Sequence, residues 1–231
     1  MMLKNISPMK IIALLATPHG LRGNTAALLR HVIEGAGAEG AQTETVVLKG
    51  DSVLPCRGCD TCHKKGRCVQ KDHFEEIKEK IMAADGLILA SPNYIFNVSA
   101  QLKAFMDRCC GVIHCMQFWG KYGAAVVTSG GGDDEVVAEY IKHFLITTGI
   151  LPVGMVWATM SAMPEKGFTE EVKRNAVGLG RRLVQSWRGA DVPVDADRRR
   201  NAFRERMRDL MNWRKEEWPF EYRYWQENRD L

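Results

Sequence analysis

Four of the seven cysteines in the chain crowd into one short stretch, with the spacing C-x2-C-x2-C-x5-C. They are Cys56, Cys59, Cys62 and Cys68. Thiolates this close repel one another and oxidise easily unless a metal holds them. Three cysteines at every third position can surround one corner of an iron–sulfur cubane, whereas structural zinc sites usually take two ligands from each of two knuckles. The spacing therefore favours an iron–sulfur cluster; a metal-free thiol set and a zinc site are the alternatives.

A second candidate site lies at residues 17–25, a glycine-containing segment between a predicted strand and a predicted helix. Backbone N–H groups at a helix start favour an anion, so a phosphate is the natural occupant. The segment has neither the lysine of a P-loop nor the G-x-G-x-x-G pattern, which disfavours ATP and a Rossmann dinucleotide. An ordinary strand-to-helix turn is the alternative. The candidate phosphate-binding residues are Thr17, His19, Arg22, Gly23, Asn24 and Thr25.

Two further loops carry residue types that suit a flat ligand. Residues 91–97 include a proline and two aromatic residues that could lie against a ring; the alternative is that Tyr94 and Phe96 cap the core. Residues 128–134 include three consecutive glycines, which let the backbone approach a ligand closely. The candidate residues of the two loops are Pro92, Asn93, Tyr94, Ile95, Phe96, Ser129, Gly130, Gly131, Gly132 and Asp133.

Short apolar runs alternate with amphipathic segments, and these elements must position the loops. The apolar runs predict strands at residues 10–16, 43–48, 86–90, 122–128 and 150–158. The amphipathic segments predict helices at 24–34, 74–84, 99–108, 134–146 and 169–187, with Asn24 as the first N-cap and a glycine-rich break at 35–40. This alternation predicts an α/β three-layer sandwich around a five-stranded parallel sheet in the flavodoxin-like order 2-1-3-4-5. The loops after strands one, three and four then meet at the switch point, where such sheets bind ligands.

The composition changes after Gly189. We therefore expect one domain at residues 1–189, with a cysteine loop at 55–69, and a C-terminal extension at 190–231. Residues 191–197 are expected to link the domain to a charged helix at about 197–213. Five aromatic residues follow within 218–225, and they are expected to pack on the protein's own body or on a partner subunit.

Composition and motifs narrow the classes of function. The net charge of +4 is mild, and no apolar run approaches the ~20 residues of a membrane span. We recognise no export signal, so the cytoplasm is the expected location. The C-terminal arginines have no nucleic-acid reader motif, so they are expected to form a solvated helix face or a subunit contact. Neither nucleic acid nor a membrane is expected as a partner.

The other cysteines and the histidines show no spacing that predicts a site. Cys109, Cys110 and Cys115 are expected to be small buried apolar residues. His31, His63, His73 and His143 have no partner pattern typical of zinc or of a catalytic triad. His114 is expected to be an ordinary surface or core histidine.

The three loops and the cysteine stretch together resemble the flavodoxin-like FMN reductases, and in particular their iron–sulfur flavoprotein branch. Residues 17–25 stand where that family has S-P-R-x-x-G-N-T, and residues 91–94 resemble its S-P-x-Y loop. Residues 102–108 match its L-K-x-F-x-D-R helix, and the cysteine spacing is similar to its compact cluster motif. The resemblance covers residues 8–185. His19 replaces the family's arginine, which weakens neutralisation of a phosphate unless Arg22 substitutes.

The resemblance implies FMN, with its phosphate on residues 17–25 and its ring between residues 92–97 and 128–133. It also implies a [4Fe–4S] cluster on the four cysteines and a homodimer or homotetramer. Electrons would pass between FMN and the cluster, with NAD(P)H as a donor and a ferredoxin-like protein or a small molecule as the partner. A flavin does the redox chemistry itself, so no catalytic side chain is expected. The alternatives are a clusterless NAD(P)H-dependent FMN or quinone reductase, a non-enzymatic flavodoxin-like carrier and a metal-stapled interaction protein.

Overall fold

Six strands form one sheet in the computed structural model, which describes residues 7–165, 167–191 and 193–229. The strands are β1 (Lys10–Leu15), β2 (Gln42–Val47), β3 (Gly86–Tyr94), β4 (Asn97–Val98), β5 (Tyr122–Ser129) and β6 (Leu151–Thr159). Five of them run parallel in the order β2-β1-β3-β5-β6. β4 is a short strand that pairs antiparallel with the end of β3. The five parallel strands confirm the predicted order 2-1-3-4-5.

Helices cover both faces of this sheet. They are α1 (Asn24–Ala38), α2 (Thr61–Lys65), α3 (Phe74–Met82), α4 (Ala100–Arg108), α5 (Cys110–Cys115), α6 (Asp134–Thr147), α7 (Glu170–Trp187), α8 (Val194–Arg214) and α9 (Pro219–Asn228). Successive strand residues point to opposite faces. Leu14 and Leu87 therefore pack with residues of α3, α4 and α6, while Leu15 and Ile88 pack with residues of α1 and α7. The predicted three-layer sandwich is confirmed.

The predicted glycine-rich break at residues 35–40 is wrong over its first four residues, because α1 continues to Ala38. Glycine serves here for close packing between α1 and α7. A Cβ atom on Gly35 would lie 2.0 Å from the carbonyl oxygen of Val177, and one on Gly180 would lie 1.9 Å from that of Val32. Two helix backbones can approach this closely only where neither carries a side chain.

Several boundaries also differ from the predictions. The N-cap of α1 is Gly23 rather than Asn24. β3 continues to Tyr94, because its end forms a hairpin with β4. The short helix α5 was not among the predicted elements. In the expected linker, α8 already begins at Val194, where Pro193 and two aspartates in the first turn favour a helix start.

Specific contacts join the C-terminal extension to the body of the protein. The Arg200 guanidinium lies 3.9 Å from the ring centroid of Trp119 and donates to the carbonyl oxygen of Gly149 at 3.3 Å. Trp225 is fully buried, and its Nε1 donates to the carbonyl oxygen of His114 at 2.9 Å. The domain boundary at residues 189 and 190 stays a prediction. No helix in the described part of the chain is both long enough and apolar enough to cross a membrane.

Candidate functional site

The loop after β1 ends in a helix start that suits an anion. A single 3-10 turn, Gly20–Arg22, leads to Gly23, and α1 begins at the next residue. No side chain caps this end of α1, and its first turn contains no acidic residue. The first backbone N–H groups of α1 are therefore left for another acceptor. Such a helix start suits a phosphate, because its N–H groups can donate to the phosphate oxygens and the helix dipole favours negative charge.

The predicted phosphate-binding residues surround this helix start. Thr17 is buried, and its Oγ1 accepts a hydrogen bond from the backbone N–H of His19 at 3.3 Å. His19, Arg22 and Asn24 are exposed beside the loop, where they can reach a ligand. Thr25 is buried, and its hydroxyl is hydrogen-bonded to that of Thr128.

Hydrogen bonds bring the three predicted loops into one site. Thr25 Oγ1 lies 2.7 Å from Thr128 Oγ1, which joins the loop after β1 to the end of β5. Asn93 Nδ2 donates to the carbonyl oxygen of Gly132 at 2.9 Å, which joins the end of β3 to the loop after β5. Pro92 pairs with Thr128 in the register of the sheet. The switch point therefore carries one continuous surface rather than three separate loops.

The loop after β5 is shaped by hydrogen bonds and leaves open backbone. Ser129 Oγ accepts from the backbone N–H of Gly132 at 2.9 Å and donates to Asp134 Oδ2 at the same distance. A Cβ atom at Gly130 or Gly131 would meet nothing within 4 Å, so their backbone faces open space. Asn93 Oδ1 is buried without a protein partner. A buried acceptor of this kind fits a ligand that donates a hydrogen bond, as the ring of FMN does.

The hairpin between β3 and β4 presents apolar residues to solvent. Ile95 and Phe96 form its tip with φ angles of 49° and 62° and are 90% and 73% exposed. Asparagine and glycine are the usual residues in such a turn, and a branched residue there costs about 1–3 kcal/mol. Tyr94 is also exposed, so the alternative that Tyr94 and Phe96 cap the core is wrong. The strained tip lies beside the site, where its exposed side chains can contact a ligand or a partner protein.

Sequence reasoning missed the cationic side chain of Lys49, which lies near the predicted phosphate loop. An open cleft of about 450 Å³ lies between residues 17–22 and the end of β2. Its opposite wall is formed by Val47, Lys49 and Gly50. Lys49 could have been found from the sequence, because it directly follows the predicted strand at residues 43–48 and therefore lies at the same edge of the sheet as residues 17–25.

The four predicted metal ligands occupy different depths of the cysteine loop. Cys56 and Cys59 are exposed, and Cys62 and Cys68 are half-buried. Cys62 and Cys68 border one small cavity of about 10 Å³. A hydrogen bond with the Thr61 hydroxyl lowers the pKa of the Cys59 thiol. In the described chain the four thiols are not gathered as ligands of one ion; a four-iron cluster places its own irons and sulfides between its thiolates.

The surroundings of these thiols suit a negatively charged group. α2 ends in His63, Lys64 and Lys65, so three basic side chains follow Cys62 directly. Arg108 contacts Cys68 from the other side. Cationic neighbours stabilise thiolates, which are the form that ligates iron. The donor set and its charge therefore fit a thiolate-bound cluster.

Arg108, at the end of α4, binds residues on both sides of the cysteine loop. Its guanidinium donates to both carboxylate oxygens of Asp72, at 2.7 and 3.2 Å, and to the carbonyl oxygen of Leu54 at 3.0 Å. Burial raises the pKa of Asp72, but hydrogen bonds from Arg108 and from the backbone N–H groups of Leu54 and Phe74 outweigh it and hold that pKa below its ordinary value. Both ends of the loop are thus tied to one arginine.

A polar cluster that the sequence did not reveal lies under the C-terminal helix. Glu221 is fully buried, with one carboxylate oxygen 2.6 Å from His63 Nδ1 and the other 3.0 Å from His114 Nδ1. Cys110 Sγ lies 3.9 Å from His114 Nε2. Cys109 and Cys115 are buried, as expected, but Cys110 is half-buried and polar in its contacts. Glu221 lies too far from both histidines in sequence for any spacing rule to connect them.

The titratable groups of this cluster shift one another's pKa values. Burial lowers the pKa of both imidazoles, but hydrogen bonds outweigh it. Those with Cys110, Cys62 and Glu221 raise the pKa of His63 to about 12, and those with Cys110 and Glu221 raise the pKa of His114 to about 9. Hydrogen bonds with the two histidines lower the pKa of the Cys110 thiol to about 6. Burial raises the pKa of Glu221, but the same histidines hold it below its ordinary value.

Known proteins resemble this chain over most of its length. The family model described as NADPH-dependent FMN reductase matches residues 9–163. An iron–sulfur flavoprotein of Archaeoglobus fulgidus is 34% identical over 180 residues, which cover 78% of this chain and 80% of that protein. An iron–sulfur flavoprotein of Methanocaldococcus jannaschii is 36% identical over 148 residues, which cover 63% of this chain and 76% of that protein.

Solved structures show the same fold. The NAD(P)H:quinone oxidoreductase from Methanothermobacter marburgensis superposes with a TM-score of 0.61 at 18% identity, over 77% of this chain and 98% of that chain. At this identity the likeness concerns the fold alone. The shared fold places the loops after β1, β3 and β5 at the ligand-binding edge of a flavodoxin-like sheet.

Proposed function

The chain belongs to the NADPH-dependent FMN reductase family and is a flavin-dependent oxidoreductase, and on that premise we propose that it is an iron–sulfur flavoprotein. In this proposal electrons pass between FMN, held at the switch point, and a [4Fe–4S] cluster, held by the cysteine loop. The observation that carries the proposal is the hydrogen-bonded closure of the three loops at the same edge of the sheet. The iron–sulfur flavoproteins among its relatives support the second cofactor.

The protein's part in this chemistry is to bind and orient FMN. The helix start of α1 takes the phosphate, with Asn24, Thr17 and the charges of Arg22 and Lys49 around it. The open backbone of Gly130 and Gly131 and the hairpin of β3 and β4 flank the ring. These residues would hold FMN, which would supply hydride acceptance and single-electron release, so no general base is needed from the protein.

Cys56, Cys59, Cys62 and Cys68 are the proposed cluster ligands. The basic end of α2 and Arg108 lower the cost of placing several thiolates together. A ferredoxin-like protein or a small molecule is the proposed electron partner, and NAD(P)H the proposed donor. The exposed tip residues Ile95 and Phe96 suit contact with such a partner or with a second subunit of a homodimer or homotetramer.

The proposal is tested by the iron, acid-labile sulfide and flavin content of anaerobically purified protein. We expect about four irons, about four sulfides and about one FMN per chain. In Cys59→Ala, iron and sulfide are expected to fall while FMN stays bound. Cys109→Ala removes a buried thiol outside the proposed ligand set and serves as the control. FMN without iron in the wild-type protein would leave a clusterless reductase.

Replacing Asn24 by alanine is expected to weaken FMN binding about tenfold to hundredfold. A hydrogen bond to a charged group is worth roughly 1.5–3 kcal/mol, and ~1.4 kcal/mol corresponds to a factor of ten. The exposed residue Asn212 on α8 provides the matched control, Asn212→Ala, which should bind FMN normally. The measurement is flavin fluorescence titration of the apoprotein. Equal affinity in the two variants would count against the phosphate loop.

A further inference from the structure

The aromatic C-terminal segment closes over a set of metal-ligand atoms outside the cysteine motif. Among the described residues, His63, Cys110 and His114 form the group whose ligand atoms all lie within 4.8 Å of one another. His63 belongs to α2, and Cys110 and His114 lie one turn apart on α5. None of the three is among the proposed cluster ligands or the proposed FMN-binding residues.

Glu221 orients both imidazoles of this group. A carboxylate can only accept, so both Nδ1 atoms must donate to it, at 2.6 and 3.0 Å. Each ring then keeps its Nε2 for another partner, and Cys110 Sγ lies 3.9 Å from that atom of His114. Metal-binding histidines characteristically donate their other ring nitrogen to a carboxylate, which fixes the tautomer and ring orientation. Fully buried Glu221, which accepts from both rings, thus holds each imidazole with its Nε2 available to a metal ion.

We propose that His63, Cys110 and His114 form a second metal site that shares no ligand with the four cysteines of the proposed cluster and binds one divalent ion of the zinc class. Two imidazoles and one thiolate are the mixed nitrogen and sulfur donors that Zn²⁺ takes in tetrahedral sites. The fourth position falls to Asp60 or to a water molecule. Asp60 Oδ1 already lies 3.8 Å from His63 Nε2, on a residue held in the left-handed region at φ 56°.

The ligand atoms already lie near the separations that a bound ion would give them. Zinc bond lengths of about 2.0–2.1 Å to nitrogen and 2.3 Å to sulfur separate tetrahedral ligand atoms by about 3.5 Å. The His114 and Cys110 atoms are 3.9 Å apart, and no pair in the group exceeds 4.8 Å. The two imidazole rings are inclined by 22°, so their planes must also turn towards the ion. Histidine χ2 is a broad torsion that permits this turn.

Binding of a dication leaves the total charge of the buried cluster unchanged. The Cys110 thiolate and the Glu221 carboxylate carry two negative charges, which the two protonated imidazoles balance in the metal-free protein. Zn²⁺ replaces the two Nε2 protons and leaves both imidazoles neutral, so the total charge stays zero and two protons are released to solvent.

The C-terminal helix supplies the cover of the site. The Trp218 ring stacks on both imidazoles, with centroids 4.7 Å from His63 and 4.9 Å from His114. Trp225 Nε1 donates to the carbonyl oxygen of His114 at 2.9 Å. Phe220 lies against Gly66, where a Cβ atom would come within 2.2 Å of its ring. The extension thereby covers one side of the site and joins the cysteine loop to α5.

The site is tested with Co²⁺ alone, added to the full chain carrying Cys56→Ser and Cys59→Ser so that the cysteine motif is disabled. We expect one equivalent of tetrahedral cobalt with a near-ultraviolet thiolate charge-transfer band, and a higher unfolding temperature with Zn²⁺. Adding Cys110→Ser should remove the band and weaken binding about hundredfold or more, and Glu221→Gln should weaken it about tenfold to hundredfold. Adding Cys109→Ala instead should change neither.

The outcomes separate this site from the proposed cluster. Flavin absorbance retained in every variant shows that the fold survives the substitutions. Absence of cobalt binding in the parent, or equal binding after Cys110→Ser, would overturn the proposal. Iron and sulfide in the wild-type protein depend on the cysteine loop alone, so their presence or absence does not decide the second site.

Discussion

Replacing Gly180 by alanine is expected to destabilise the protein by about 3 kcal/mol or more. The new Cβ atom would lie 1.9 Å from the carbonyl oxygen of Val32 and 2.7 Å from the backbone nitrogen of Ala36. Both obstacles are backbone atoms of α1, so no side chain can rotate away, and the two helices must separate. Overpacking a core usually costs about 1–3 kcal/mol, and a rigid backbone contact lies at the upper end or above it.

Gly178, two residues earlier on α7, is the matched control. A Cβ atom there would meet nothing within 4 Å, and the residue is exposed. Gly178→Ala is therefore expected to stabilise the protein by roughly 0.5–1 kcal/mol, because alanine has the higher helix propensity. Denaturant unfolding of the two variants measures both values. If they have the same sign, the close contact between α1 and α7 is not present in solution.

The same contact explains why a sequence-based prediction failed at residues 35–40. A glycine-rich stretch after an amphipathic segment ordinarily predicts the end of a helix. Gly35 instead lies inside α1 and lets the backbone of α7 pack closely against it. α7 is more than 130 residues later in the sequence. Local propensity contains no information about a partner so distant in sequence, so tertiary packing overrode it.

The sheet and the site loops were predictable because their signals are local. Strands buried on both faces appear as continuous apolar runs, and the residues that follow each run must lie at the same edge of a parallel sheet. This placed Thr25, Asn93 and Thr128 in one region before any contact was known. Which hydrogen bonds join them was not predictable, because each bond depends on side-chain positions across the sheet.

The cluster of His63, His114 and Glu221 marks the limit of that reasoning. Glu221 is separated from His63 by 158 residues and from His114 by 107. Only the aromatic composition of residues 218–225 indicated that the segment packs somewhere, and nothing indicated where. The strained tip at Ile95 and Phe96 was equally hidden, since neither residue type favours a positive φ.

Replacing Arg108 by methionine is expected to destabilise the protein by about 3–5 kcal/mol at neutral pH. The Arg108 and Asp72 side chains are 1% and 4% exposed, and the substitution leaves the carboxylate buried without its bidentate partner. Breaking a buried ion pair from one side has this cost, because the remaining charge is not compensated. The carbonyl oxygen of Leu54 also loses its donor, so both ends of the cysteine loop are released. Denaturant unfolding measures the change.

The pH dependence of this loss follows from the carboxyl group. Because the pKa of Asp72 is lowered in the folded protein, its stabilising contribution is complete above the unfolded pKa of about 3.9 and is lost as the pH falls through the lowered value. The difference in stability between wild type and Arg108→Met should therefore shrink below about pH 4. A difference that is independent of pH would assign the effect to packing against Phe74 rather than to the ion pair.

Lys103 on the same helix provides the control for a charge that is not buried. It pairs with Asp107, but the two side chains are 43% and 46% exposed, so Lys103→Met should change stability by no more than about 1 kcal/mol. Arg108 also borders Cys68, so its removal should reduce iron retention more than FMN retention if the cysteine loop holds the cluster. Equal loss of both cofactors would mean that Arg108 supports the whole fold and not the loop in particular.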